Sequence, residues 1–385
     1  MKYKIVFKSF NFEKEFFISI KMILGHSSDN LKDHLNNENL NEEIQATGIG
    51  QTNLDSLSDI TKIKKYCSKN KNFSEIFELL EYIDKGSESV VCKASLKLKE
   101  PQKKKNGILK IIFNRKKQED KNELKIAKKL KNINVINFES SHIILKDESW
   151  CIFMEYAEIG NLLNLKNFLK TEYFSESIIC FLSYQILNSL IYCHKCKVAH
   201  MDIKPKNIVV NKFFHAKLID FSISINYIGK KPCDFIKLPS IGTSLYMPIE
   251  VIASQKIKYK DLNKIDLYSF GVLIYFLAFG KHPYQLSYDD QDNHQKIYEK
   301  IYLNKIGINR DNQNFSLCFY DFLTKILEKD INKRINIYEA QNHYWIKGAK
   351  ILQEEMNLNN NINVFAQYLL KNHIKKFNDY ISQYT

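Results

Sequence analysis

Two carboxylates and one amide lie close together in the sequence, at a spacing suited to phosphoryl transfer. Asp202 is followed by Lys204 and Asn207, and Asp220 comes thirteen residues after Asn207. A carboxylate such as Asp202 can accept the proton of a substrate hydroxyl, and Lys204 beside it can neutralise a phosphoryl group in transit. Asp220 and the side-chain oxygen of Asn207 are hard oxygen ligands of the kind that Mg²⁺ binds. The spacing therefore predicts Asp202 as a base and Asn207 and Asp220 as metal ligands.

The hydrophobic pattern around these residues predicts an α+β architecture. Short apolar or alternating runs predict strands at 77–83, 90–98, 107–113 and 150–156. A helical run at 121–130 lies between the third and fourth of them. After Gly160 the runs become longer and take helical spacing, as at 175–195 and 266–280. A small sheet with one helix is therefore expected to precede a larger helical body.

The segment from His200 to Asn207, followed by Asp220-Phe221-Ser222, resembles the catalytic and metal-binding loops of the eukaryotic protein kinases. The family's other landmarks follow in order across about 77–350, including Gly242 to Glu250 at the end of the activation segment. Lys204 and Thr243 fit the serine/threonine-specific pattern. The resemblance implies a two-lobed protein-kinase fold that transfers the γ-phosphoryl group of ATP to Ser or Thr hydroxyls of protein substrates, with the subfamily unassigned.

The domain boundaries implied by the resemblance divide the chain into three parts. Residues 75–350 form the kinase domain, with a small β-rich lobe at 75–157 and a helical lobe at 158–350, and ATP and Mg²⁺ are expected between them. Residues 1–74 are expected to be a partly disordered N-terminal extension. Residues 351–385 form a predicted helical tail, because their apolar side chains have amphipathic helical spacing. Either terminal segment is a candidate site for a regulatory partner.

The resemblance also implies which residues hold the nucleotide. Lys110 would bind the α- and β-phosphates and pair with Glu123. Met154 would be the gatekeeper, the backbone of Glu155 and Ala157 would bond the adenine edge, and Asn161 would contact the ribose. The remaining candidates are Gly86 of the glycine-rich loop, Val91 above the adenine, Val209 below it, and Ile108 against the ring.

Three positions around the nucleotide depart from the family pattern. Asp84 and Ser89 stand where the glycine-rich loop has two further glycines, so that loop is expected to be loosened or displaced. Ile108 replaces an alanine that lies against the adenine ring. Overpacking of this kind costs about 1–3 kcal/mol where nothing relaxes, so the departures bear on ATP affinity more than on the chemistry, and whether they weaken ATP binding is left open.

Two further departures lie in the catalytic loop. Met201 replaces the arginine that usually pairs with a phosphate on the activation segment, so phosphorylation there is predicted not to be required. The resemblance is therefore to kinases of the non-RD type. Lys206 replaces an acidic residue that attracts basic substrates, and the net charge is +14. An acidic or neutral substrate sequence is therefore expected rather than a basic one.

Two buried anchors are implied by the same resemblance. Glu250 should form an ion pair with Arg334, and Asp266 should brace the backbone of the catalytic loop from a following helix. Both roles are structural and take no part in the chemistry.

The composition indicates a globular protein and gives no sign of a secreted or membrane-spanning one. The 385 residues are 44% hydrophobic, which is enough for a packed core. No signal peptide or uninterrupted membrane-spanning run is found, and the eight cysteines are scattered. A cytoplasmic protein without membrane association is expected, and a nuclear one is not excluded. Lysine runs without interleaved aromatics give no reason to expect nucleic-acid binding.

Alternative interpretations remain open at this point. The altered loop and Ile108 are compatible with a catalytically impaired pseudokinase that acts as a nucleotide-sensing scaffold. Cys193, His194, Cys196 and His200 have a spacing that superficially suggests a zinc site, but His200 already belongs to the catalytic loop.

Overall fold

The computed structural model describes residues 61–65, 67, 71–85, 89–97, 104–112, 119–143, 150–168, 173–238, 242–306 and 315–350. These residues fall into two compact units. The first, called the sheet unit, contains the described residues of Met22–Lys129 and Ile136–Tyr156. The second, called the helical unit, contains Leu130–Val135 and the described residues from Ala157 onward. Gly86, the tail at 351–385 and most of the predicted extension lie outside the described residues.

The sheet unit is built on a five-stranded antiparallel sheet in the order β1-β2-β3-β5-β4. Its elements are α1 (Lys71–Ile76), β1 (Phe77–Lys85), β2 (Ser89–Lys97), β3 (Lys104–Ile112), α2 (Glu119–Lys129), β4 (Phe138–Ile143) and β5 (Trp150–Met154). The four predicted strands and the predicted helix are all present. Strand β4 was not predicted, because its sequence FESSHI is largely polar and lacks a clear apolar alternation.

One face of this sheet forms the core of the unit. Cys92, Leu109 and Phe153 are paired across neighbouring strands, and all three are fully buried. Phe77 packs on Phe153 with ring centroids 5.7 Å apart, and Phe73 of α1 packs on Phe77 at 5.6 Å. Residues before 75 therefore contribute to the core, although the domain boundary itself stays a prediction. Burial raises the pKa of the Cys92 thiol to about 11, so Cys92 is a protonated core residue.

The helical unit contains short strands followed by longer helices. Its first elements are β6 (Gly160–Asn161), α3 (Leu162–Phe168), α4 (Glu176–Lys195), β7 (Val198–Ala199), β8 (Ile208–Val210), β9 (Ala216–Leu218), β10 (Ile225–Asn226) and β11 (Phe235–Lys237). The later ones are α5 (Ile249–Ile252), β12 (Lys256–Lys258), α6 (Leu262–Phe279), α7 (His294–Leu303), α8 (Leu317–Ile326) and α9 (Ile337–Gln341). The strands pair as β6-β8-β9, β7-β10 and β11-β12.

Two long helices, α4 and α6, form the centre of the helical unit. Both were predicted, and α6 ends where Gly280 takes a left-handed conformation (φ 67°) and donates its N–H to the Phe276 carbonyl at 2.9 Å. The spans Glu176–Lys195 and Tyr259–Phe279 are long and apolar enough to cross a membrane by length and composition. Because 72% and 78% of the tested windows are buried inside the fold, core packing accounts for this apolar character.

Candidate active site

Asp202 lies at the centre of a hydrogen-bonded group in the helical unit. Its Oδ2 is 2.7 Å from Lys204 Nζ and accepts a bond of 2.8 Å from Asn207 Nδ2. Lys204 Nζ also donates to Thr243 Oγ1 at 2.8 Å, and the Thr243 N–H points to Asp202 Oδ1 at 3.4 Å. The structure thus brings together the predicted base, the predicted charge-neutralising lysine and one predicted metal ligand. A hydroxyl presented to Asp202 would meet an acceptor with a cation beside it.

Gly242 is required by the close approach of the backbone to this group. Its φ is +114°, a conformation that side-chain-bearing residues rarely adopt. A Cβ at this position would lie 2.8 Å from Ile223 Cδ1 and 3.6 Å from Asp202 Oδ1. The glycine therefore lets the chain pass beside the carboxylate and place Thr243 against Lys204.

Asn207 and Asp220 are linked through the backbone. Asn207 lies in a short 3₁₀ turn that is preceded by Lys204, and its carbonyl accepts the N–H of Ile219 at 3.0 Å. Its side-chain Nδ2 donates to both Asp202 Oδ2 and the Asp202 carbonyl at 2.8 Å. This arrangement assigns the amide nitrogen to Asp202 and leaves Oδ1 as the ligand atom. Asp220 follows Ile219 directly and has φ 64°. The donor set fits a hard divalent cation.

The catalytic loop is braced by Asp266 from helix α6, as predicted. Asp266 Oδ2 accepts the His200 N–H at 2.8 Å, and Oδ1 accepts the Met201 N–H at 2.7 Å. His194 Nε2 lies 2.8 Å from Oδ2. Full burial by itself would raise the pKa of Asp266, but the hydrogen bonds from His194 and Met201 hold it below its ordinary value. The carboxylate stays charged and fixes Met201 at φ 71°, a strained conformation for a non-glycine residue.

The zinc interpretation is not supported by the geometry. Both ring nitrogens of His194 already have partners, since Nδ1 lies 3.1 Å from the Tyr227 hydroxyl and Nε2 contacts Asp266. His200 Nε2 lies 2.9 Å from the Ile219 carbonyl. Within the described residues, His, Cys, Asp and Glu form no group of three that could hold a metal ion.

In the sheet unit, Lys110 and Glu123 form the predicted ion pair. Lys110 Nζ is 2.8 Å from Glu123 Oε1, and the two side chains are 13% and 8% exposed. Lys110 projects from β3 on the face opposite the buried core, and Glu123 lies one turn into α2. A pair this sheltered holds the lysine ammonium in one place, where it can bind phosphate oxygens.

The predicted nucleotide-contacting side chains of the sheet unit share one face. The register pairs Val91 with Lys110 and Ile108 with Met154. Directly paired residues and residues two apart on a strand point to the same side, so these four side chains lie together. All four are partly exposed, whereas the opposite face is fully buried. Ile108 lies directly beside Met154, the gatekeeper candidate. The carbon atoms that Ile108 has in addition to the usual alanine therefore lie on the predicted nucleotide-contacting face.

Two residues near this face were missed by the sequence interpretation. Asn137 accepts the Glu155 N–H at 3.1 Å, and its own N–H donates to Glu155 Oε1 at 2.5 Å. This double contact fixes the backbone of Glu155, which is predicted to bond the adenine. Lys93 pairs with Ile108 and places its Nζ 4.6 Å from the centre of the Tyr156 ring. Neither was predictable, because the Asn137 contact depends on β4 and the position of Lys93 depends on the register of β2 and β3.

In the helical unit, Asn161 and Val209 are directly paired between β6 and β8. Asn161 also caps helix α3, because its Oδ1 accepts the N–H groups of Leu163 and Asn164 at 2.9 and 3.0 Å. Only its Nδ2 is therefore suited to the predicted ribose contact. Ala157 is buried, and its carbonyl accepts the Gly160 N–H at 3.1 Å. Of its two backbone groups, the N–H is the one to which the predicted adenine contact is assigned.

Comparison with known proteins agrees with this geometry. Residues 77–346 match the protein kinase domain family. The chain is 27% identical over 300 residues to Serine/threonine-protein kinase dst4 of Dictyostelium discoideum, which covers 76% of this chain and 58% of that protein. It is 30% identical over 229 residues to Serine/threonine-protein kinase pakH of the same organism, covering 59% and 41%. It is 28% identical over 233 residues to the human CaM kinase-like vesicle-associated protein, covering 59% and 44%. The matched segments thus span 58% or less of these relatives.

Proposed function

Because the chain belongs to the protein kinase family, we propose that it transfers the γ-phosphoryl group of ATP to serine and threonine hydroxyls of proteins. The observation that carries this proposal is the contact group at Asp202, whose Oδ2 lies within 2.8 Å of both Lys204 and Asn207. Two of the relatives are named serine/threonine-protein kinases. The family uses ATP with a divalent metal, and we assign Mg²⁺ because the predicted ligands are a carboxylate and an amide oxygen.

The proposed reaction forms one bond and breaks one. The acceptor oxygen bonds to the γ-phosphorus, the bond from that phosphorus to the bridging oxygen breaks, and ADP leaves with the electron pair. Asp202 takes the hydroxyl proton, and Lys204 steadies the negative charge on the transferred group. Asn207 and Asp220 would hold Mg²⁺, which supplies positive charge to the phosphates when bound. Lys110, oriented by Glu123, would hold the remaining phosphates, so the rate arises mainly from positioning and electrostatics.

The scaffold alternative is less well supported. A pseudokinase usually lacks at least one of the groups that act on phosphate or metal. Here Lys110 is paired with Glu123 at 2.8 Å, and Asp202 is bonded to Asn207 at 2.8 Å. The Lys110–Glu123 pair would also serve a scaffold that senses nucleotide. The contacts of Asp202 with Lys204 and Asn207 are what disfavour the scaffold, because nucleotide binding alone does not require them. The Ile108 side chain affects how tightly ATP binds and leaves the reacting groups in place.

Transfer of labelled phosphate tests the proposal. The full chain is incubated with γ-labelled ATP, with or without Mg²⁺, and with three peptides that differ only in a Ser, Thr or Tyr acceptor. Mg²⁺-dependent labelling of the Ser and Thr peptides, absent in Asp220→Asn, is expected. Nucleotide binding is measured on the same samples by thermal shift. Binding without transfer would favour the scaffold, and labelling of the Tyr peptide alone would overturn the Ser/Thr assignment.

We further propose that the activation segment is held in place without a phosphate. Ser224 Oγ donates to the His200 carbonyl at 3.0 Å, and the Tyr227 hydroxyl donates to the His194 carbonyl at 3.2 Å. Strand β10, between these two residues, pairs with β7 next to the catalytic loop. These contacts join the start of the segment directly to the loop that carries Asp202. They supply the connection that an arginine–phosphate pair gives elsewhere, consistent with Met201 at that position.

Activity is therefore expected to survive removal of phosphate. Ser224, Tyr227 and Ser244 are buried, and among the described hydroxyls at 220–238 Ser222 is the exposed one. Phosphatase-treated protein and Ser222→Ala are each expected to keep kcat within about twofold of the untreated protein, because none of the contacts above involves a phosphate. Intact mass measured before the assay checks that phosphate is gone. A loss of kcat that autophosphorylation restores would contradict the prediction.

A further inference from the structure

Strands β11 and β12 form a two-stranded ribbon within and just beyond the activation segment. The paired positions are Phe235 with Lys258, Ile236 with Ile257, and Lys237 with Lys256. Because paired residues share a face and alternate residues share a side, Phe235 and the three lysines lie on one face of the ribbon. The other face is apolar, and Ile257 on it is 4% exposed. The ribbon therefore presents one outer face, which carries Phe235, Lys237, Lys256 and Lys258.

This outer face carries an unbalanced positive charge. Lys237 and Lys256 are directly opposite each other, an arrangement in which like charges destabilise the strand pair. In the part of the chain that the structure describes, neither they nor Lys258 form an ion pair with a carboxylate. Elsewhere in the helical unit some lysines do lie beside acids, as at Lys296–Asp290 (2.5 Å). The repulsion is thus left for an outside anion to relieve.

The adjoining turn extends the same charge. Residues 230 and 231 are both exposed lysines. Lys260 lies next to this turn, because its N–H donates to the Pro232 carbonyl at 3.2 Å. The Tyr259 N–H donates to the Asp234 carbonyl at 3.1 Å, so the turn and the end of β12 are tied together. Asp234 is the exposed acid within this stretch. The basic surface therefore continues from the ribbon onto the adjoining turn, whose backbone is hydrogen-bonded to the residues that follow β12.

We propose that the outer face of the ribbon docks an acidic segment of the protein substrate. The inference rests on the proposed kinase function and adds a substrate class to it. Charge complementarity favours carboxylates as the bound groups. Strand β11 also ends only five residues before Gly242 in the sequence, and the next residue, Thr243, bonds Lys204. Lys258 Nζ lies 5.6 Å from the centre of the Phe235 ring, so an ammonium already covers the aromatic face that a nucleic-acid base would use.

Matched peptides test the docking. Two serine peptides carry six glutamates, placed before the serine in one peptide and after it in the other. Each has a matched peptide in which the six glutamates are replaced by glutamines. In at least one orientation the glutamate peptide is expected to show about a tenfold lower KM with kcat unchanged, and the difference should shrink at high salt because such contacts are screened. The triple variant Lys237→Gln, Lys256→Gln, Lys258→Gln should lose the preference while keeping its activity on the glutamine peptide. The triple Lys→Arg variant should retain it.

A charge-matched control separates docking from net charge. The triple variant Lys305→Gln, Lys333→Gln, Lys347→Gln removes the same charge from surfaces outside the ribbon and should keep the preference. Binding of the labelled glutamate peptide to the Asp220→Asn protein, without ATP, is followed by fluorescence anisotropy. This readout does not require turnover, so failed catalysis and failed docking are distinguishable. Equal loss in both triple variants, no preference in the wild type, or tighter binding of a single-stranded oligonucleotide would each overturn the proposal.

Discussion

Asp202→Asn is expected to lower kcat by about 10²- to 10⁴-fold, the usual contribution of a positioned general base. Asparagine has nearly the same shape as aspartate, so the bonds that Asn207 Nδ2 makes to the Asp202 carbonyl and side-chain oxygen can be retained. What is lost is the negative charge that accepts the proton and that lies 2.7 Å from Lys204 Nζ. The defect should therefore appear in kcat, with the KM for ATP changed little.

Turnover of a serine peptide, together with thermal unfolding and nucleotide binding, checks this result. Wild-type stability and nucleotide affinity in the variant would show that the loss is chemical. Lys206→Gln is a suitable comparison, since Lys206 lies in the same turn, is exposed, and has no predicted part in the proton transfer. Its kcat should stay near wild type. An Asp202→Asn protein that turns over normally would remove Asp202 from the role of base.

The catalytic loop was predictable because its functional residues are close in sequence. Asp202, Lys204 and Asn207 lie within six residues that end in one 3₁₀ turn (Pro205–Asn207), and so short a segment has few ways to place them apart. The spacing of hydrophobic residues likewise predicted most strands and both long helices, since burial on one face requires that periodicity. Pairs far apart in sequence were different. The contact of Lys110 with Glu123 was predicted from resemblance to a family, and the residue types alone do not specify it.

Features that depend on register or on a distant backbone could not be predicted. The ribbon of β11 and β12 joins residues about twenty apart in sequence, and its strands of three residues are too short to show alternation. Asn161 looked like a ribose ligand, and its second role as the cap of α3 appears only once the helix start is known. The link from Asn137 to Glu155 requires β4, whose polar sequence gave no strand signal. In each case tertiary pairing decides the contact.

Arg334→Leu is expected to reduce the free energy of unfolding by about 3–5 kcal/mol, as for other buried ion pairs that lose one partner. Arg334 is fully buried, and its Nη1 and Nη2 lie 2.7 and 3.3 Å from the two oxygens of Glu250, which is itself 4% exposed. The guanidinium also donates to the backbone carbonyls of Glu328, Lys264 and Lys329. Leucine would leave a buried carboxylate unpaired and these carbonyls without their donor.

Urea unfolding followed by circular dichroism measures the change, and two comparisons identify its cause. Lys325→Ala breaks the exposed pair with Asp321 on helix α8 and should cost about 0.5 kcal/mol or less. Glu250→Leu combined with Arg334→Leu should recover part of the loss, since no unpaired charge remains buried. If Arg334→Leu lowered the free energy of unfolding no more than Lys325→Ala does, burial would not increase the cost of breaking the Arg334–Glu250 ion pair. The ion pair would then not anchor the end of the activation segment, and only its start would have an identified anchor, in the contacts of Ser224 and Tyr227.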